Sequence, residues 1–283
     1  MKNILVTGGC GYIASHTCLL LLNKGYNVYT IDSCINSSPK SLNNVLKASD
    51  LVSSEYKKKL HFYKGDIQDK NCLRNIFSEA SNNNNTISSV IHFAGLKSVS
   101  ESISQPIKYW KNNVYGTITL LEVMEEFDCK SIVFSSSASI YGKKENSIID
   151  EGAEIKPTNP YGMTKYVIEK ILNDLFLSSS KKLKIANLRY FNPIGAHSSG
   201  LIGENPIGSP SNIFPLILKV ASGKQQTLQV FGSDWDTPDG TGVRDYIHVM
   251  DLSEGHIKTL EFLEKANPQI INLNLGTGCG TSV

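Results

Sequence analysis

Lys2-Asn3-Ile4-Leu5-Val6-Thr7-Gly8-Gly9-Cys10-Gly11-Tyr12-Ile13-Ala14 reads as an apolar strand, a glycine turn and the start of an apolar-periodic helix that runs through Leu22. Glycines let the backbone turn tightly and approach a pyrophosphate, and the free N–H groups and dipole at a helix start favour that negative charge. Ala14 holds the third small position, where the helix packs closely on the strand; a methyl group is accepted there. The stretch predicts a dinucleotide cradle, confirmed in context by the strand before it and the helix after it.

The next predicted strand, Asn27-Val28-Tyr29-Thr30-Ile31, ends in Asp32, about 20 residues beyond Gly11. A carboxylate at that place accepts hydrogen bonds from an adenosine ribose diol and repels a 2′-phosphate, and no arginine or lysine follows until Lys40. NAD is therefore expected in preference to NADP.

Outward from this turn, the pattern alternates. After Asp32 comes a polar stretch rich in Asn and Ser, then a strand at Leu60-His61-Phe62-Tyr63-Lys64 leading to Gly65-Asp66-Ile67. A helix about Leu73 to Ala80 gives way to Asn82–Asn85, read as a loop because asparagines favour turns. Ser89 to Gly95 is the fourth strand, Pro106 to Phe127 a long helix and Ser131 to Ser135 the fifth strand. The helix bearing Tyr161 and Lys165 and a sixth strand at Leu183 to Leu188 follow. Such alternation predicts an α/β fold, a Rossmann-like doubly wound parallel sheet over residues 1–188. From Arg189 the sequence becomes irregular and rich in proline and glycine, which predicts a smaller, loop-rich α/β substrate domain over 189–283. Ligands on such sheets gather at the carboxyl ends of the strands, where the glycine turn, Asp32, Asp66, Gly95 and Ser137 all fall.

Composition excludes several classes. With 28 basic against 26 acidic residues and no basic stripe, neither nucleic acid nor a membrane surface is an expected partner. A chain opening on a strand is expected to carry no signal peptide, and no apolar run nears spanning length. Six cysteines without Cys-x-x-Cys spacing suit reduced thiols in a cytoplasmic protein, and the histidines lack ligand spacing, so no metal is expected.

Tyr161 and Lys165 stand four apart in Tyr161-Gly162-Met163-Thr164-Lys165, hence on one helix face. There the ammonium is expected beside the phenol, favouring its ionised form so that it serves as a base near neutral pH. Ser137 closes the strand in Phe134-Ser135-Ser136-Ser137-Ala138.

These blocks together resemble the extended short-chain dehydrogenase/reductases and, among them, are similar to the UDP-galactose 4-epimerases. The blocks that carry the resemblance are Thr7 to Ile13, His92 to Lys97, Asn112-Asn113-Val114, Ser135 to Ala138 and Tyr161 to Lys165. The most specific are Arg189-Tyr190-Phe191-Asn192-Pro193 and Gly240 to Val249. The resemblance implies that Gly8, Gly11, Tyr12, Ile13, Asp32, Asn36, Asp66, Ile67, Phe93, Ala94, Lys97, Asn113, Tyr161 and Lys165 hold NAD. It implies that Asn192, Asn212, Phe231 and Arg244, with Ser137 at the sugar, hold a UDP-hexose. A guanidinium fork suits a diphosphate, and an aromatic ring can flank a base.

The implied reaction is epimerisation at C4 through a transient 4-keto sugar. Tyr161 would be the base, Ser137 would hydrogen-bond the 4-oxygen and Lys165 would reach the nicotinamide ribose. A sugar-nucleotide 4,6-dehydratase or decarboxylase would need an extra acid/base, usually an acidic pair just after the serine; Ala138 and Ser139 stand there. A non-catalytic NAD-binding regulator is the rival from another class, opposed by retention of all three catalytic residues. Thr281 and Ser282 read as the cap of a helix that does not follow, so the chain is expected to be a fragment whose substrate domain lacks a wall. Homodimerisation is compatible with this reading and not decided by it.

Overall fold

The computed structural model describes residues 2–50, 58–143, 148–180, 182–207 and 212–283. Strand β1 (Asn3–Thr7) is buried along its whole length, as a central parallel strand covered on both faces must be. β2 (Asn27–Asp32) and β3 (Leu60–Lys64) stack on one side of it; β4 (Ile87–His92), β5 (Ser131–Ser137), β6 (Lys184–Tyr190) and β9 (Gln269–Leu275) continue on the other. The order β3-β2-β1-β4-β5-β6-β9, parallel throughout, reverses direction between β1 and β4, and ligands bind at such a reversal.

Helices α1 (Tyr12–Asn23) and α2 (Lys40–Asp50) pack on one face, joined later by α9 (Val249–Lys265). The other face carries α3 (Lys70–Asn82), α6 (Gly116–Glu126) and α7 (Pro160–Ser178). Two apolar clusters result, one about Ile4, Val6, Leu19 and Leu260, the other about Leu5, Phe77, Leu120 and Phe134. Alternate residues of β1 enter opposite clusters because strand side chains alternate sides.

Two elements of this sheet's surroundings differ from the sequence reading. The polar stretch after Asp32 contains α2, whose buried Leu42, Val45 and Ala48 recur at helical spacing within an otherwise polar run. The long helix expected from Pro106 is broken. After α4 (Val99–Ser104) and the single turn α5 (Pro106–Tyr109), residues Trp110–Tyr115 form a π-turn before α6 resumes. Such a turn inserts a residue without ending the helix and is frequent at functional sites; here it carries Asn113 inward. Asn84 adopts a left-handed backbone, φ 57°, just after α3, as the asparagine run led one to expect.

Beyond β6 the chain leaves the sheet. β7 (Asn192–Ile194) pairs parallel with β8 (Arg244–His248), α8 (Ile213–Ala221) lies between them in sequence, and β10 (Gly280–Thr281) pairs antiparallel with β8. Thr281, read as part of a helix cap, is therefore a strand residue. Residues 249–275 return to the main body, α9 against α1 and β9 beside β6. A division at 188/189 thus follows chain order, whereas the large sheet spans it. The described residues contain no helix long and apolar enough to cross a membrane.

Candidate active site

Three consecutive serines at the end of β5 each meet a different residue of α7. Lys165 Nζ donates to the carbonyl of Ser135 at 2.7 Å, and the Ser136 hydroxyl donates to Glu169 Oε1 at 2.5 Å. Ser137 lies beside Tyr161. Tyr161, Lys165 and Glu169 follow one another at four-residue intervals, so one helix face addresses the whole strand end. Two local features bring that face close. Asn159 caps α7 by accepting the N–H of Gly162 at 2.8 Å, with Pro160 starting the helix. Gly162 itself allows contact: a Cβ there would come within 2.7 Å of the carbonyl oxygen of Ser139.

Tyr161, Lys165 and Ser137 are all buried. Lys165 sits 5.9 Å from the Tyr161 ring centre. Its position is thus as expected; burial pushes the phenol up, and contact with Ser137 only partly offsets that. Burial also lowers Lys165 to about 8, against the upward pull of Glu169. A charge removed from water is disfavoured in both groups.

Behind them lies a network that sequence reading missed. Glu169 is paired with Arg189, through Nη2 to Oε2 at 2.7 Å and Nε to Oε1 at 3.1 Å, both side chains buried. Arg189 Nη1 also donates to Tyr141 at 2.9 Å and to the carbonyl of Glu151 at 3.1 Å. The pair ties α7 to β6 and to the 3-10 turn Ala138–Tyr141, so it fixes the strand end that carries Ser137. The signal was available in sequence, since Glu169 stands four after Lys165.

At the glycine turn, Gly8 has φ 70°, and a Cβ on it would meet Ala94 N at 2.9 Å. Gly11 is the N-cap of α1 and offers no side-chain acceptor, leaving the first-turn amides at Tyr12 and Ile13 for an outside anion. Asp32 is buried at the end of β2, with Asn36 exposed nearby. Phe93 and Ala94 are hung from Thr7, whose carbonyl accepts the N–H of Phe93 at 3.2 Å and whose hydroxyl accepts that of Ala94 at 3.2 Å. Asp66 turns on its own loop, accepting from Gln68 N at 2.9 Å, and Ile67 is buried beneath Gly116. The Asn113 amide is committed to the protein: its Oδ1 accepts from Leu96 N at 2.8 Å, and its Nδ2 donates to Leu96 O and Thr164 Oγ1, both at 3.1 Å. It therefore shapes the loop after β4.

Asn192, Asn212, Phe231 and Arg244 come from four separate elements yet line one cleft of about 370 Å³, with Phe214 and Tyr246 at its wall. None of the catalytic trio lines it, but Ser137 is in register with Tyr190, two residues before Asn192. Lys97 reaches across: its ammonium pairs with Glu204 at 3.3 Å, and Asn212 Nδ2 donates to the same Glu204 oxygen at 2.8 Å. Glu204 thus links a residue expected at the cofactor to one expected at the substrate, and no local motif marks it.

A parallel sheet with a direction reversal, a glycine cradle, a buried acid at the end of β2 and a Ser-Tyr-Lys group at the end of β5 define an extended short-chain dehydrogenase/reductase. The family described as GDP-mannose 4,6 dehydratase matches residues 5–268. "UDP-glucose 4-epimerase 2" of Arabidopsis thaliana is 50% identical over 282 residues, covering 100% of this chain and 78% of the relative. "UDP-glucose 4-epimerase" of Yersinia enterocolitica is 52% identical over 282 residues, covering 99% and 79%. The crystal structure of UDP-glucose 4-epimerase from Bifidobacterium longum in complex with NAD+ and UDP superposes with a TM-score of 0.91 at 46% identity, covering 99% of this chain and 80% of that one. The chain belongs to the UDP-glucose 4-epimerase family.

Proposed function

We propose that this chain interconverts UDP-galactose and UDP-glucose by NAD-dependent epimerisation at C4. The observation that carries the reading is the buried convergence of Ser137, Tyr161 and Lys165 on one strand end, with the cleft lined by Asn192, Asn212, Phe231 and Arg244 adjoining through β6 and β7.

NAD fits the residues present: Gly8 lets the turn close on the backbone of Ala94, the start of α1 is uncapped, and Asp32 offers a carboxylate at the end of β2. Gly8, Gly11, Tyr12 and Ile13 would hold its pyrophosphate and Asp32 its adenosine ribose. Asn36, Asp66, Ile67, Phe93, Ala94, Lys97 and Asn113 would border it. Lys165 would bond the nicotinamide ribose, close to Tyr161. When bound, NAD supplies a hydride acceptor and donor for C4 and a positive nicotinamide charge that favours the ionised phenol of Tyr161. Tyr161 then takes the proton of the sugar 4-hydroxyl and later returns it. Ser137 donates to the 4-oxygen and stabilises charge there. Asn192, Asn212 and Arg244 keep the diphosphate anchored, and Phe231 flanks the uracil, while the 4-keto sugar turns its other face. Ala138 and Ser139 bring no carboxylate to the 3-10 turn, which favours epimerisation over dehydration.

Six free cysteines support a reducing, cytoplasmic setting. Incubation with UDP-galactose, followed by NMR, tests the function: UDP-glucose is expected with no accumulating keto sugar. A 6-deoxy-4-keto product would establish the dehydratase, and no turnover with both NAD and UDP-galactose bound would overturn the epimerase reading.

A further inference from the structure

Three donor groups meet beneath the glycine turn that no sequence spacing would pair. Cys10 belongs to the turn, Asp32 ends β2, and Cys34 follows two residues later; their two sulfurs and a carboxylate oxygen all lie within 4.8 Å of one another. Backbone hydrogen bonds hold the group together. Asp32 Oδ2 accepts the N–H of Cys10 at 2.9 Å, and Oδ1 accepts the N–H of Cys34 at 2.8 Å and the hydroxyl of Ser37 at 2.7 Å. The carboxylate therefore bridges the two stretches that carry the cysteines and is oriented before any ligand arrives. Cys34 has a left-handed backbone, φ 59°, uncommon for a residue with a side chain. Cys10 and Asp32 are buried at 4% and 8% exposure, while Cys34 is half-buried beside exposed Ile35 and Asn36, which gives a solute one side of approach.

Two sulfurs and one carboxylate oxygen are the donor set of a borderline or soft divalent ion, and three protein ligands leave a fourth position for water. Around such an ion, with bonds of about 2.3 Å to sulfur and about 2.0–2.2 Å to oxygen, tetrahedral donors stand roughly 3.3–3.8 Å apart. The group needs to contract by no more than about 1.5 Å, and the half-exposed Cys34 loop is the part able to move. Binding is balanced by release of the two thiol protons, with each sulfur binding as thiolate; no oxidant is involved.

We propose that Cys10, Asp32 and Cys34 form a site for a thiophilic divalent cation of the zinc and cadmium class, which excludes the dinucleotide by occupying the carboxylate its ribose requires. The exclusion rests on the NAD reading above; the cation site does not.

The test uses the full chain stripped of nucleotide under reductant. Equilibrium dialysis against Zn²⁺ and titration with Cd²⁺, followed by the ultraviolet thiolate-to-cadmium band, should give one ion per chain. Cys10→Ser and Cys34→Ser should each weaken binding at least tenfold and diminish the band, and NAD+ should displace the ion. Cys34→Ser lies in the half-exposed loop and keeps the test decisive should Cys10→Ser fail to fold. Binding unchanged in the serine variants, or no thiolate–cadmium band in the parent chain, would overturn the site. Loss of two titratable thiols without bound cation would overturn it in favour of a disulfide. Cation binding through the cysteines that NAD+ does not displace would leave the site standing and sink the exclusion together with the ribose role of Asp32.

Discussion

The pocket edge at β5 and the cleft at β7–β8 are built on opposite plans. Around Ser137, Tyr161 and Lys165 buried polar groups are tied from one element to another: Lys165 to Ser135, Ser136 to Glu169, Glu169 to Arg189. In the cleft, Arg244 is exposed with its guanidinium on the carbonyl of Val243, and Phe231 is 85% exposed. The first region holds its geometry without a ligand, because an unpaired polar group in the interior costs too much to leave loose. The second leaves charge and ring free for a ligand to organise. Chemistry that needs fixed distances and recognition that needs a large polar substrate are thereby separated.

The widest effect expected from that contrast is Tyr161→Phe, which should lower turnover roughly 10²–10⁴-fold with UDP affinity nearly intact, since only the base is lost. Parallel measurement of turnover and UDP titration reads it; an equal loss in both would mean that the two regions are not separate. Next comes Glu169→Gln, which leaves Arg189 buried without its counter-charge and should remove about 3–5 kcal/mol of stability. Urea unfolding shows this as a lower midpoint, and a midpoint within error of the parent would refute the rigid plan for the first region. The smallest effect belongs to Arg244→Ala. Loss of one charge-assisted contact should weaken UDP binding by about one to two decades, about 1.5–3 kcal/mol, with the urea midpoint unchanged. A fall in that midpoint would show that Arg244 supports the fold and not only the ligand.

Residues whose roles follow from local pattern were legible. Gly8 and Gly11 announced a turn, Asp32 a strand end, and Tyr161 and Lys165 a shared helix face; each falls where its spacing put it. Elements that depend on distant packing were not. α2 was obscured because its three buried apolar residues, Leu42, Val45 and Ala48, acquire meaning only once α1 supplies a surface. The break in the long helix was invisible because a π-turn is stabilised by what Asn113 reaches, Leu96 and Thr164, and neither is near in sequence. Glu204 went unread for the same reason.

The sequence by itself determined the parallel sheet, the glycine turn and the shared helix face of Tyr161 and Lys165, because these rest on periodicity and on contacts within one turn of a helix. Only the tertiary structure decided how those residues are charged and what restrains them. Burial raises Tyr161 and lowers Lys165, an ion pair between α7 and β6 fixes the strand end, and Asp32 draws Cys10 and Cys34 together. Desolvation and long-range pairing depend on which surfaces meet, and a linear pattern carries no record of that before the chain has folded.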